Sequence, residues 1–262
     1  MRLLSTAREK SGRVRATKAL EKAVTTALAA ASRAVQLVNA VGLELLAALV
    51  ILTGSAWVFG WMVEDLAEGD TEVDHRFANW LHEHATPGLT TFFENVTRLG
   101  NVPTLGVVVV LTVIVLWRKR LFEDLVLMVL AAVGTEVITI GLKLGFERER
   151  PFFPDPLATE SSYSFPSGHA SVSLAVYGTL GFIAARHLRD RRAQIAALVG
   201  ATTLVLLIGF SRLYLGVHFL SDVVAGFSLG LAWLTLCAVL LHLRVRVKER
   251  RQTSRYLAST KQ

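Results

Sequence analysis

Three short segments of the 262-residue sequence carry side chains suited to phosphate chemistry. They are residues 143–151 (KLGFERERP), 166–169 (PSGH) and 211–222 (SRLYLGVHFLSD), and each lies at the end of a long apolar run. Together they supply three cations, two imidazoles, a hydroxyl beside a glycine and a carboxylate four residues after the second imidazole. This set of groups can bind a phosphate and transfer it to a histidine.

The three cations are Lys143, Arg150 and Arg212. Lys143 and Arg150 flank the end of an apolar run and the start of a loop containing Pro151, where long basic side chains can also serve as anchors at the membrane interface. Arg212 lies between two apolar runs, and a charge at that depth usually has a partner or a function. All three are candidate ligands of an anion.

The PSGH segment predicts a helix start that faces an anion. Ser167 is a predicted N-cap, and Gly168 allows the backbone to come close to a ligand. The free N–H groups and positive dipole end of a helix N-terminus suit a phosphate, which would then lie beside His169. A turn followed by an ordinary helix cap is the alternative, since short motifs often occur without function.

His218 and Asp222 are four residues apart, so on a helix they lie on one face within reach of each other. A carboxylate bound to one ring nitrogen selects the tautomer of an imidazole and leaves the other nitrogen free to attack. We therefore predict a nucleophile and its orienting group. A helix-capping aspartate next to an interfacial histidine would give the same spacing.

The rest of the sequence indicates a membrane protein. Hydrophobic residues make up 52% of the chain, and the mean hydropathy is +0.47. Windows of about twenty mostly apolar residues, the length needed to cross a bilayer, occur six times. These predicted spans are residues 41–63, 101–117, 121–142, 169–186, 193–210 and 221–243, and they predict an all-α bundle of six transmembrane helices.

The basic residues predict the orientation of these spans, because Lys and Arg are retained on the cytoplasmic side of short loops. With a cytoplasmic N-terminus, the inside segments carry 22 of the 28 Lys and Arg residues but only six of the 21 acidic residues. Those segments are residues 1–40, 117–124, 185–193 and 243–262. Both termini are then cytoplasmic, and all three chemical segments fall on the external face.

The charge pattern also bears on partners and on domain organisation. The net charge of +7 is concentrated next to apolar spans, which favours anionic lipid headgroups over nucleic acid as its partner. We expect a basic extension at 1–40 that resembles a surface-lying amphipathic helix, a membrane domain at 41–243 and a basic tail at 244–262. Nothing in the sequence indicates an oligomeric state.

Two further features complete this interpretation. The external segment 64–101 is acidic and then aromatic, and it is either an interfacial helix with Trp80, Phe92 and Phe93 at headgroup depth or a simple loop. Cys237 is the single cysteine and lies in the sixth span, so neither a disulfide nor a cysteine metal site is available. We expect Cys237 to be a packing residue.

The patterns Lys-x6-Arg-Pro, Pro-Ser-Gly-His and Ser-Arg-x5-His-x3-Asp resemble the three signature motifs of the type 2 phosphatidic acid phosphatase (PAP2) family of membrane lipid phosphatases. The match has no departure at the signature positions. It covers residues 143–222 directly and, through the six-span layout, residues 41–243.

This resemblance implies an external site that dephosphorylates lipid phosphates without a metal or other cofactor, through a phosphohistidine. It implies that His218 is the nucleophile, that Asp222 orients it, and that His169 is the general acid and later the base. The residues that it implies for holding the phosphate oxygens are Lys143, Arg150, Arg212, Ser167 and the Gly168 amide.

The sequence leaves the substrate and some alternatives open. Family members act on phosphatidate, phosphatidylglycerol phosphate, diacylglycerol pyrophosphate or polyprenyl pyrophosphates such as undecaprenyl pyrophosphate, and the signature residues touch only what these lipids share. Vanadium-dependent haloperoxidases resemble the same motifs but are soluble. A lipid phosphotransferase would use the same first half-reaction, whereas a catalytically silent lipid-binding protein would not need His169, His218 and Asp222 together.

Overall fold

The computed structural model describes residues 25–26, 42–69 and 71–259, with the backbone only for 248–259. The chain divides into two compact units, Met1–Ala47 and Ala48–Gln262. The predicted extension at 1–40 and its amphipathic helix lie outside the described residues except for Thr25 and Thr26, which are helical.

From residue 42 onward the described chain forms eight helices and no strand. They are α1 (Gly42–Glu68), α2 (Glu72–Glu83), α3 (Pro87–Arg98), α4 (Val102–Arg118), α5 (Phe122–Phe146), α6 (Gly168–His187), α7 (Arg191–Tyr214) and α8 (Leu220–Ser259).

Five of these helices, α1, α5, α6, α7 and the Leu220–Val247 part of α8, are long and apolar enough to cross a membrane. The second predicted span, residues 101–117, corresponds to α4, which has 17 residues and is short for the hydrocarbon core. It follows α3 with a bend of 43°, and the two helices together pass as one span. The predicted all-α membrane bundle is confirmed, with a bent second span in place of a straight one.

The central helix of the bundle is α6, whose apolar window is 56% buried, against 33% or less in the other single-helix spans. It packs against α5, α7 and α8. Outward-facing positions on the surrounding helices are apolar and exposed, as expected for a surface in contact with lipid. Examples on α4 and α5 are Val107, Val110, Leu111, Val133, Val137 and Leu144.

A glycine allows α8 to lie against the start of α6. A Cβ atom on Gly226 would lie 2.6 Å from the Ser167 carbonyl oxygen and 2.9 Å from the Ala170 Cβ. Real Cβ atoms do not approach backbone so closely, so Gly226 lets α8 pack directly on the PSGH segment. This contact places the first turns of α6 and α8 side by side.

At the opposite end of α6, the buried carboxylate of Asp124 joins α5 to α6. Its two oxygens accept hydrogen bonds from Arg186 Nη1 at 3.0 Å and from His187 Nε2 at 2.6 Å. The helix ends far from the chemical segments are therefore joined by an ion pair between the buried Asp124 and the half-exposed Arg186.

The acidic and aromatic segment 64–101 is neither a single interfacial helix nor a simple loop, because it contains α2 and α3. Trp80 and Phe92 are about half exposed, at 53% and 49%. Phe93 is instead buried and packs against Tyr214, with 4.6 Å between the ring centroids. Phe93 therefore packs α3 on α7 and does not face the surroundings of the bundle, while the depth of these rings in a membrane stays a prediction.

The predicted domain boundary at residue 243 falls inside a continuous helix, since α8 runs from Leu220 to Ser259. Cys237 is buried, as a packing residue would be.

Candidate active site

Most of the predicted site residues line one pocket of about 260 Å³. This pocket lies where α5 and α7 end and where α4 and α6 begin. The predicted residues that line it are Lys143, Arg150, Gly168, His169, Arg212 and His218. Ser167 and Asp222 are fully buried next to these lining residues. Segments that are distant in sequence thus meet at one end of the bundle.

His218 and Asp222 face each other as their spacing predicts. His218 lies in the short connection before α8, and its Nδ1 is 3.3 Å from Asp222 Oδ2. The same carboxylate oxygen accepts hydrogen bonds from the Phe219 amide at 2.8 Å and from the Ser164 hydroxyl. The Ser164 oxygen lies 3.2 Å from His218 Nδ1, so Nδ1 has two oxygens to which it can donate.

Arg150 determines which tautomer of His218 is present. Its Nη1 lies 3.1 Å from His218 Nε2, and a guanidinium can only donate a hydrogen bond. Nε2 is therefore the acceptor and carries the lone pair, and the proton is on Nδ1 facing Asp222. Hydrogen bonds from Arg150 to the carbonyls of Ser162 at 2.6 Å and Val217 at 2.5 Å hold the guanidinium in place.

Burial lowers the pKa of the His218 imidazole to about 3, so the ring is uncharged at neutral pH. The hydrogen bond and charge of Asp222 oppose this effect, while Arg150 and Arg212 add to it. A neutral imidazole whose Nε2 carries no proton is the form required of a nucleophile at neutral pH.

Arg212 is almost fully buried, and two of its three side-chain nitrogens donate hydrogen bonds within the protein. Its Nη1 donates to Thr97 Oγ1 at 2.8 Å and its Nη2 donates to Glu160 Oε1 at 2.6 Å. Its Nε is buried and has no hydrogen-bond partner among the residues that the structure describes. A buried unpaired donor is costly, so this N–H is suited to an anion in the pocket.

Ser167 is also an unsatisfied donor. It occupies the N-cap position of α6, but its side chain makes no capping hydrogen bond, contrary to the expected role. Its hydroxyl is buried and has no hydrogen-bond partner among the described residues, while its amide donates to the Asp222 carbonyl at 3.0 Å. Ser167 lies next to the pocket but does not line it.

His169 is oriented by a residue that the sequence analysis did not single out. Its Nε2 is 2.7 Å from Oδ1 of Asn101, the N-cap residue of α4. Because the amide oxygen can only accept, the His169 proton lies on Nε2 and Nδ1 is left free. Asn101 could have been suspected from its position directly before a span that begins Val-Pro.

Lys143 and Gly168 lie close together in the pocket wall. Lys143 Nζ donates to the Tyr163 carbonyl. A Cβ atom on Gly168 would lie 3.7 Å from Thr139 Cγ2 and 4.0 Å from Lys143 Cε. A side chain at position 168 would therefore point towards the cation.

Arg148 lies in the first motif between Lys143 and Arg150, but it does not line the pocket. It is buried, and its Nη1 donates to the second oxygen of Asp222, Oδ1, at 2.6 Å. Its Nη2 donates to Asp74 on α2 at 2.8 Å. In the sequence, Asp74 is one of six acidic residues between positions 64 and 74, and nothing distinguishes it from the others.

Glu136 is a second carboxylate that the sequence analysis missed, and it lies inside the span formed by α5. It lines the same pocket together with the apolar side chains of Val102, Leu105, Ile140 and Val172. An ionisable side chain within an apolar run was the available signal, since such residues usually have a function.

A metal site is not formed in the part of the chain that the structure describes, where no three His, Cys, Asp or Glu side chains are grouped to hold an ion. Positive charge in the pocket comes instead from Lys143, Arg150 and Arg212.

Comparison with known proteins places the chain in a family. The sequence profile of the PAP2 superfamily matches residues 124–246. Phosphatidylglycerophosphatase B of Bacillus subtilis (strain 168) is 36% identical over 147 residues, which are 55% of this chain and 71% of that protein.

Two solved structures superpose on the chain, and the first of them is similar in fold. The crystal structure of a transmembrane PAP2-type phosphatidylglycerolphosphate phosphatase from Bacillus subtilis superposes with a TM-score of 0.64 at 28% identity, over 74% of this chain and 94% of that chain. The crystal structure of Aquifex aeolicus LpxE superposes with a TM-score of 0.49 at 25% identity, over 63% of this chain and 92% of that chain.

Proposed function

Because this chain belongs to the PAP2 superfamily and is a multi-pass membrane phosphatase, we propose that it hydrolyses the phosphate monoester of phosphatidylglycerophosphate. The substrate is proposed from the similarity to phosphatidylglycerophosphatase B over 71% of that protein. The apolar part of the pocket lining suits a lipid phosphate in general.

The single observation that carries the mechanism is the hydrogen bond from Arg150 to His218 Nε2. It supports a neutral His218 whose Nε2 lone pair points at the place where Arg150 would hold a phosphate oxygen. We propose that Nε2 attacks phosphorus while the bond from phosphorus to the glycerol oxygen breaks. The product of this step is a phosphohistidine, and its imidazolium charge is stabilised by Asp222.

His169 is proposed to move the protons in both half-reactions. For the reaction we propose that His169 also carries a proton on Nδ1, the nitrogen that is free in the structure, gained from the monoanionic phosphate monoester as it binds. Nε2–H stays donated to Asn101, and Nδ1–H is transferred to the departing glycerol oxygen. A water molecule then attacks phosphorus, the phosphorus–Nε2 bond breaks, and His169 takes the proton from that water. Inorganic phosphate leaves, and both histidines return to their starting forms.

The phosphate oxygens are proposed to be held by donors in the pocket wall and directly behind it. Arg212 Nε and the Ser167 hydroxyl are buried without a hydrogen-bond partner in the described part of the chain, and the N-terminus of α6 provides the Gly168 amide. Lys143 and Arg150 add charge at the same place. Fixed donors of this kind stabilise the charge that develops in the transition state.

We expect catalysis without a divalent metal, because three fixed cations supply the positive charge in the pocket. Purified protein in detergent should release phosphate from phosphatidylglycerophosphate at the same rate with and without a chelator. Loss of activity in EDTA that Mg²⁺ restores would contradict this expectation.

The substrate is tested in the same assay by comparing phosphatidylglycerophosphate with phosphatidate and undecaprenyl pyrophosphate. The expected order of kcat/KM places phosphatidylglycerophosphate first. A higher kcat/KM on undecaprenyl pyrophosphate would replace the proposed substrate while leaving the phosphatase assignment intact. Phosphate passed to a lipid alcohol in preference to water would indicate a phosphotransferase.

The site is proposed to face the outside of the cell, with both termini in the cytoplasm, as the distribution of Lys and Arg requires. Single cysteines at Thr159 and Gln252 in a Cys237→Ala background would report this orientation. An impermeant thiol reagent should label Thr159→Cys in intact cells and Gln252→Cys only after the cells are opened. The reverse pattern would show that the charge distribution was misread.

A further inference from the structure

A buried charged cluster lies directly behind the proposed nucleophile. It consists of Asp74, Arg148, Ser221 and Asp222, which we call the Arg148 cluster. Arg148 bridges the two carboxylates, with 2.6 Å from Nη1 to Asp222 Oδ1 and 2.8 Å from Nη2 to Asp74 Oδ2. The exposed fractions of these three side chains are 7% for Arg148, 9% for Asp74 and zero for Asp222.

The cluster is tied together by further hydrogen bonds. Arg148 Nη1 also donates to Ser221 Oγ at 2.7 Å, and the Ser221 amide donates to Asp74 Oδ1 at 2.9 Å. The Ser221 hydroxyl contacts Asp74 as well. The guanidinium lies over the Phe219 ring, 4.4 Å from its centroid, so its plane and position are held on several sides.

The charges of the cluster match the needs of a histidine nucleophile. With His218 neutral, the two carboxylates and the guanidinium sum to one negative charge. Formation of a phosphohistidine places one positive charge on the His218 ring, which brings cluster and ring to neutrality. In a buried environment, where charges interact more strongly than in water, this favours the intermediate.

Arg148 alone would have the opposite effect, because a guanidinium 2.6 Å from Asp222 neutralises the carboxylate that must stabilise the His218 cation. The second carboxylate of Asp74 compensates for Arg148 and restores the negative charge. A lysine could not replace Arg148 fully, since a single ammonium does not span two carboxylates as a planar guanidinium does.

We propose that Arg148 and Asp74 are positioning residues that promote the attack by His218. Arg148 fixes the orientation of the Asp222 carboxylate. Asp74 offsets the positive charge of Arg148, so that the cluster next to His218 keeps one net negative charge. This inference rests on the proposed function, in which His218 is the nucleophile. It also gives α2, which lies outside the membrane-spanning helices, a part in catalysis through Asp74.

The test measures the rate at which the purified protein forms acid-labile phosphoenzyme from p-nitrophenyl phosphate, per folded molecule as judged by gel filtration in detergent. Asp74→Asn and Arg148→Lys should each slow this step by about 10- to 100-fold, the range typical of lost orienting partners. KM should change by less than about threefold, since the cluster does not line the pocket. Asp74→Glu, which keeps the charge, should recover part of the rate.

Matched controls come from the same helix. Glu72 and Arg76 form an exposed ion pair on α2, with exposed fractions of 75% and 70%. Glu72→Gln removes one negative charge as Asp74→Asn does, and Arg76→Lys makes the same exchange as Arg148→Lys. Both changes lie away from the site and should leave the rate within about twofold of wild type. If Asp74→Asn does not fold, the rates of phosphoenzyme formation in Arg148→Lys and Asp74→Glu still test the inference.

The inference is overturned if the folded variants form phosphoenzyme at the wild-type rate, because the cluster would then serve folding only. It is also overturned if KM rises while the phosphorylation rate stays constant, which would assign the cluster to binding. Failure of the proposed function looks different. In that case wild-type protein forms no acid-labile phosphoenzyme, or the His218→Ala variant forms it as well.

Discussion

Replacement of His218 with alanine should abolish phosphate release from every substrate, whatever its leaving group. Without Nε2 there is no atom to receive the phosphoryl group, and the remaining donors can only bind it. We expect kcat to fall by at least about 10⁴-fold, as for other nucleophile removals, with no acid-labile phosphoenzyme detectable. Phosphate release and acid-labile phosphate incorporation measure the two effects.

The matched control is His84→Ala, since His84 is exposed at the end of α2 and its ring nitrogen contacts only the Trp80 carbonyl. That variant should keep wild-type activity. Phosphoenzyme that persisted in His218→Ala would move the nucleophile to another residue and overturn the assignment that the motif implies.

Replacement of His169 with alanine should give a loss that depends on the leaving group. The attack by His218 remains possible, but the glycerol oxygen must depart without a proton. For a lipid monoester we expect a loss of about 10²- to 10⁴-fold, the usual contribution of a general acid. For p-nitrophenyl phosphate, whose leaving group is stable as an anion, the loss in phosphoenzyme formation should be about tenfold or less.

Comparison of the two substrates in the same preparation separates this role from a folding defect, which would lower both rates equally. An Asn101→Ala variant should show the same dependence on the leaving group in weaker form, because Asn101 Oδ1 only holds His169 Nε2 at 2.7 Å. Equal losses of His169→Ala on both substrates would remove His169 from the role of general acid.

The sequence analysis predicted the membrane bundle well because its signals are local. A span is a run of apolar residues, and such a run must be helical because no water is present to satisfy its backbone. The pair His218 and Asp222 was also predictable, since helical spacing places residues four apart on one face. The family assignment followed from motif spacing and is confirmed by the matching profile over residues 124–246.

The second span shows where local signals were insufficient. The apolar run at 101–117 predicted the position of α4. It did not predict that α3 precedes α4 in the same span, with a bend of 43° between the two helices. The burial of Phe93 has the same origin. Its ring packs on Tyr214, 121 positions later in the chain, and no pattern within 64–101 reveals that partner.

The roles of the eight predicted site residues stay predictions, although six of them line one pocket and the other two are buried beside it. The residues that orient them were not predictable. Asn101 reaches His169 across 68 positions of sequence, and Arg148 reaches both Asp74 and Asp222 across 74.

By itself the sequence determined the family, the number of apolar runs and the residues able to do phosphate chemistry, because each depends on residue type and short-range spacing. The tertiary structure decided which charges are buried and paired. Arg148 and Arg150 are two positions apart, yet one lies behind Asp222 and the other faces His218 Nε2. Their different environments arise because helices that are far apart in sequence pack together around them. Burial in this packing strengthens the electrostatic interactions of both guanidinium groups.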